Sequence, residues 1–152
     1  MNFFKRLFFG KSPRRIEHPV FGEALLIETK RGSYWEVETE LAGKPFTVVI
    51  ETTNGSEPTD EQVIFFERYS LSPDRAFEIV RSLLIPKYEK WTRITFPSDW
   101  KEVFEFVGMS VPVSGDANNP WDLTFDCLKD PGGHSFTCSF ENGQLVNIQI
   151  DG

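Results

Sequence analysis

Two stretches of strict alternation, one near each end of the chain, constrain its fold more than any other feature. Trp35, Val37, Thr39 and Leu41 alternate with Glu36, Glu38 and Glu40, and Leu123, Phe125 and Cys127 alternate with Asp122, Thr124 and Asp126. Side chains of a strand point to opposite faces with period two, so each stretch carries one apolar and one acidic side. Such segments are strands with one face in a core and the other toward water.

Around the first stretch the sequence predicts a meander: Gly22 to Thr29, a turn at Lys30, Arg31 and Gly32, then Tyr34 to Leu41, then Phe46 to Thr52. Matching the apolar faces pairs Val37 with Val48 and Trp35 with Ile50 across a turn at Ala42-Gly43. Around the second, Phe136, Cys138 and Phe140 alternate with Thr137, Ser139 and Glu141 after an Asp130-Pro131-Gly132-Gly133 turn. The expected register sets Phe125 against Phe140 and Cys127 against Cys138, a cross-strand thiol pair that is either reduced or reversibly bridged. The last strand shows Val146, Ile148 and Ile150 on its apolar side. A three-residue Glu141-Asn142-Gly143 loop keeps those faces matched, whereas a two-residue Asn-Gly turn would set Phe140 against Leu145.

The middle of the chain reads as helical. Thr59 and Gln62 form a capping box that opens a helix ending near Tyr69. Ser72-Pro73-Asp74 starts a second, with Phe77, Val80 and Leu84 on one stripe and a kink or fresh turn expected at Pro86, because Tyr88 and Trp91 continue the stripe. Ser98 is expected to cap a third, on the spacing of Trp100, Val103, Phe104 and Val107, ended by Gly108. Met109 to Val113 is then a short strand, with Pro112 at its end, and Ser114 to Pro120 a loop. The expected class is α+β: antiparallel sheet or sheets from an N-terminal three-stranded meander and a C-terminal group of three to four strands, with two to three helices between them in sequence.

Charge divides the chain differently. Residues 1–16 hold five Lys or Arg and no acid, while the remainder holds eleven Lys or Arg against twenty-three Asp or Glu. A basic, Phe-rich leader thus precedes a single acidic domain at 17–152, and 152 residues suffice for one core. The body's acidity repels a phosphate backbone, which argues against nucleic acid as a partner. Apolar runs of four or five residues are far short of a bilayer span. Lys5 and Arg6 interrupt the leader's apolar stretch, so it does not read as a signal peptide, and a cytoplasmic location is expected. Phe3, Phe4, Leu7 and Phe8 share one helical face beside Lys5 and Arg6. That face either packs on the body or on an oligomer mate, or touches an anionic membrane surface weakly.

No catalytic or metal-binding constellation stands out. His18 and His134 are far apart and neither has metal-ligand spacing, the two cysteines lack basic neighbours, and no phosphate loop or nucleophile elbow is present, so no enzyme activity and no cofactor is expected. Glu36, Glu38 and Glu40, with Glu51 beside them from the next strand, form an acidic stripe. It is either a solvated sheet face or a docking surface for a basic protein.

The run Trp121 to Cys127, the turn with His134 and the closing Glu141 to Ile150, preceded upstream by His18 to Glu23, resemble uncharacterised bacterial α+β domains related to immunity proteins of polymorphic toxin systems. Where such domains carry acids before the turn histidine, this chain has Gly132 and Gly133. The resemblance implies a cytoplasmic binding protein that neutralises a toxin domain. The leading expectation is therefore a non-enzymatic protein-binding module with an acidic docking surface. Its alternative is a peripheral membrane or assembly factor anchored by the leader.

Overall fold

Alternation draws the strands from both ends of the chain into one sheet. The computed structural model describes residues 14–152, so the leader residues Phe3, Phe4, Lys5, Arg6, Leu7 and Phe8 lie outside the described residues. Within it the chain forms β1 (Arg15–His18), β2 (Gly22–Thr29), β3 (Gly32–Leu41), β4 (Lys44–Thr52), α1 (Asp60–Ser70), α2 (Pro73–Thr92), β5 (Phe104–Val111), β6 (Trp121–Cys127), β7 (Ser135–Glu141) and β8 (Gln144–Asp151). Among the described residues the strands make a single eight-stranded sheet in chain order, not two separate groups. The class is α+β as expected, but the two groups are joined where β4 lies parallel to β5, with Val48 beside Met109 and Ile50 beside Val111. All other neighbours are antiparallel. A parallel junction needs a long crossover, and α1 and α2 supply it.

The N-terminal meander has the expected register, Val37 opposite Val48 and Trp35 opposite Ile50. Its tight turn places both Ala42 and Gly43 at positive φ, the geometry that matches strand twist in a two-residue hairpin. Unanticipated is β1, which extends the sheet beyond β2; the Nδ1 atom of His18 accepts from the amides of Val20 and Phe21 and folds the turn between them.

Two bulges account for two of the C-terminal departures. Residues 100–107 do not form a helix. Asp99 caps one 3-10 turn, Trp100–Glu102, and Phe104 then opens β5. Val107 is the extra residue between Phe106, opposite Phe125, and Gly108, opposite Thr124. That insertion changes the parity of the strand, so Phe104 and Phe106 before it and Met109 and Val111 after it all reach the core. An apolar pattern broken in this way imitates helical spacing. In the last hairpin Asn142 and Gly143 do form a two-residue turn with positive φ, and Phe140 does oppose Leu145. Val146 is the extra residue there; it is exposed, and beyond it Ile148 opposes Cys138 and Ile150 opposes Phe136. The register between β6 and β7 also differs from expectation. Phe125 opposes Phe136, Leu123 opposes Cys138, and Phe140 lies against Trp121, the two rings stacked 4.0 Å apart.

The helices pack on the sheet face carrying these aromatics. Phe65 and Tyr69 of α1 meet Trp121, while Phe77 and Tyr88 of α2 meet Phe125 and Phe104. The Thr59–Gln62 capping box forms as expected. Gln62 does more than cap: buried to 3% exposure, it donates to the carbonyls of Glu51 (2.7 Å) and Pro112 (3.1 Å), tying the start of α1 to the ends of both parallel strands. Gly115 comes so close to the Glu61 backbone that an added Cβ would sit 2.6 Å from its carbonyl, and its positive φ likewise suits glycine. α2 runs through Pro86 without a break, because Pro86 lies on the solvent side, where water can replace the missing hydrogen bond. One buried cluster extends from Phe21 to Ile148. No helix of the described residues is long and apolar enough to cross a membrane.

Candidate functional site

Since the core takes one side of every strand from β3 to β8, the alternate residues build a second surface on the side away from the helices. Register assigns its rows. Glu38, Thr47, Gly108, Thr124, Thr137 and Gln149 succeed one another across six strands. Next to them run Glu105, Asp126, Ser135 and Asp151. On the other flank Val49 lies beside Ser110, whose hydroxyl accepts from the amide of Asp122 at 2.7 Å. Carboxylates thus stand on a floor of hydroxyl and amide side chains, anchored to a sheet whose other face is close-packed.

Glu38 and Glu40 are exposed, while Glu51, Glu105, Asp122 and Asp126 are half-buried. The Thr47 hydroxyl donates to Glu38 at 2.9 Å and the Ser135 hydroxyl to Asp126 at 2.5 Å. Lys44 reaches Glu105 at 2.6 Å from the rim. Burial pushes the Glu51 carboxyl above its ordinary value, and the charge of Asp122 pushes it the same way. Two nearby carboxylates could in principle share acid–base work. This pair, however, sits on the sheet face and not in the grooves beside α2 or at the β2–β4 turns.

By register all four acids singled out in the sequence lie on this face, Glu36 opposite Val49, but only three of them are accessible. Glu36 is only 4% exposed and has a partner of its own, so it is not part of the accessible stripe. Glu105 was hidden because its segment imitates a helix; the alternation of Phe104 and Phe106 about it is the signal that marks its face. Asp122 and Asp126 were legible from alternation, but their proximity to Glu51 and Glu105 needed the order of the strands.

The remaining candidates resolve into structural roles. Cys127 lies opposite Phe104 and Cys138 opposite Leu123, so the expected pairing of the two thiols does not occur. Leu123 and Cys127 are four residues apart on β6, about 13 Å along a strand, beyond the reach of a bridge. Both cysteines are free and buried, and desolvation raises both thiols above their ordinary range. A thiol reagent should therefore label neither in the folded protein and both in denaturant; titration with a chromogenic disulfide tests this, and fast labelling of either in buffer would contradict the packing. His134 closes its turn on Asp130, whose carboxylate accepts from the His134 amide at 2.9 Å and from the Gly132 amide at 3.1 Å and also contacts the imidazole Nδ1. Those bonds, led by the His134 amide, hold the Asp130 carboxyl below its ordinary value. Among the described residues no group of three or more potential metal ligands comes together. Comparison with known proteins finds no matching family, no similar curated protein and no similar solved structure.

Proposed function

We propose that the chain is a non-enzymatic protein-binding module that docks a basic partner on the acidic face of its sheet, opposite α1 and α2, in the manner of the immunity-protein-related domains that its sequence pattern resembles. The observation that carries this reading is the gathering of Glu38, Glu40, Glu51, Glu105 and Asp126 on one face of the sheet, with Asp122 near enough to Glu51 to add to the effect of burial in raising its carboxyl above its ordinary value. Among the described residues Lys44, paired with Glu105, offsets part of the negative charge gathered there. Lys or Arg side chains from a partner would relieve it, and complementary charge speeds encounter and rejects wrong partners. The small hydroxyl residues between the acids leave room for such side chains to lie flat.

Affinity capture from the native lysate tests the proposal with three baits. Wild-type protein should retain a salt-sensitive protein partner, Glu38→Lys/Asp126→Lys should retain at least tenfold less, and Glu67→Lys/Glu78→Lys, on exposed helix positions, should retain it unchanged. Equal retention by all three would overturn the assignment of this face.

Glu51 also sets a pH dependence. Its raised value in the free chain means that a docked cation, which favours the ionised form, draws a proton off Glu51 on binding. Affinity should therefore fall as pH drops through the raised titration of Glu51 toward 4.5, and the fall should be shallower in Glu51→Gln. Calorimetry at a series of pH values checks this; identical profiles would remove Glu51 from the contact.

A further inference from the structure

At one edge of the sheet, β8 pairs with β7 alone among the described residues, and no described residue bonds the outward amides and carbonyls of Gln144–Asp151. The other edge, β1, is four residues long, whereas β8 has eight and carries neither lysine nor proline, the usual guards of an open edge. Beside β8, between it and the last turns of α2, lies a groove of about 790 Å³. Its apolar wall is Ile148, Ile150 and Trp91, the last packed edge-on against His134 and Phe136 yet 40% exposed. Its rim is basic: Lys87, Lys90 and Arg93 gather here on a chain of net charge −7.

We infer that this groove takes an extended acidic peptide segment, which adds to β8 as a ninth strand and sets alternate side chains against Trp91 and the three cations. A strand paired with β8 continues the pleat, so every second side chain enters the groove, where apolar groups meet Ile148 and Trp91 and carboxylates reach Lys87, Lys90 or Arg93. Backbone pairing supplies affinity along the edge, and the groove supplies selection for acidic over basic sequence. A second copy of this chain is a poorer occupant. Pairing two β8 edges about a two-fold axis presents the same surface twice, bringing the cationic rims toward each other without an acidic counterpart. This surface is distinct from the acidic sheet face, and either can fail without the other.

The probe is the synthetic peptide Val-Thr-Glu-Ser-Ile-Thr-Glu-Ser, capped at both ends and titrated into the isotope-labelled full chain, with amide and Trp91 indole shifts as the readout. Shifts should concentrate at 144–151 and at Trp91, the version with Lys for Glu should bind at least tenfold more weakly, and Lys87→Glu/Lys90→Glu should weaken the acidic peptide by a similar factor while leaving the fold's other shifts in place. Two alternately N-methylated versions separate strand addition from charge attraction: the one whose methyl groups point at β8 should lose binding and the other keep it. Equal binding by both, shifts elsewhere in the chain, or a dimer of the free protein that occupies β8 would each overturn the inference.

Discussion

Phe125→Ala should be the most damaging single truncation in this protein, lowering stability by about 3–5 kcal/mol. Phe125 is fully buried on β6, an interior strand of the sheet, and its ring lies 5.1 Å from Phe106, 6.0 Å from Trp100, 6.3 Å from Phe104 and 6.4 Å from Phe77. Removing it opens a cavity between α2, the 3-10 turn at Trp100 and β5, and rings on three different elements cannot all collapse into the space. For a domain whose total stability is of order 5–15 kcal/mol, such a loss should shift the melting temperature by roughly 6–20 °C. Val146→Ala, at the exposed bulge of β8, should change stability by less than about 0.5 kcal/mol. Urea unfolding of the two variants beside wild type measures the contrast. Similar small losses would mean that Phe125 does not stand at the centre of the core.

Gln62→Leu should cost about 2–4 kcal/mol although it adds apolar surface to a buried site. The amide of Gln62 serves three groups at once: it accepts from the Thr59 amide at 3.1 Å and donates to the carbonyls of Glu51 and Pro112. Leucine leaves these without a partner where water has little access, and each orphaned group carries its own desolvation cost. Gln62→Glu separates polarity from hydrogen-bond donation. An ionised carboxylate cannot donate to the two carbonyls and so resists ionising; its folded-state pKa should lie above the unfolded value. The penalty is then full above the folded value and shrinks as pH falls through it, because the protonated acid regains one donor. Unfolding curves at neutral and mildly acidic pH should show Gln62→Glu recovering while Gln62→Leu does not. A Gln62→Leu protein as stable as wild type would remove the link between α1 and the parallel strands.

Much of this architecture is legible in the sequence because one physical rule, alternation against a core, acts residue by residue. It places β2 to β4, with the register of β3 on β4, and the strands β6 and β7, while both starts of the helical crossover announce themselves by the local chemistry of Thr59, Gln62, Ser72 and Pro73. It fails where a strand changes parity. Val107 and Val146 each insert one residue that a rule counting by twos does not accommodate: the first half of β5 reads as the end of a helix, and the last hairpin demands a longer loop than it has. The parallel contact of β4 with β5 leaves no local trace either, since it depends on how the long helical connection returns to the sheet. The acidic face shows the same division. Glu38, Glu40 and Glu51 are visible in single strands, whereas the approach of Asp122 to Glu51, the addition of Glu105 and Asp126, and the burial of Glu36 exist only once the strands are ordered.

The measurement that bears most directly on the proposed function is the amide-shift map of the isotope-labelled chain titrated with the partner captured from the lysate. Docking on the acidic face, opposite α1 and α2, should move the row from Glu38 through Thr47, Gly108 and Thr124 to Thr137, together with Asp126 and Ser135, and should leave Glu67 and Glu78 unmoved. Shifts confined to α1 and α2, with that row silent at saturation, would contradict docking on this face.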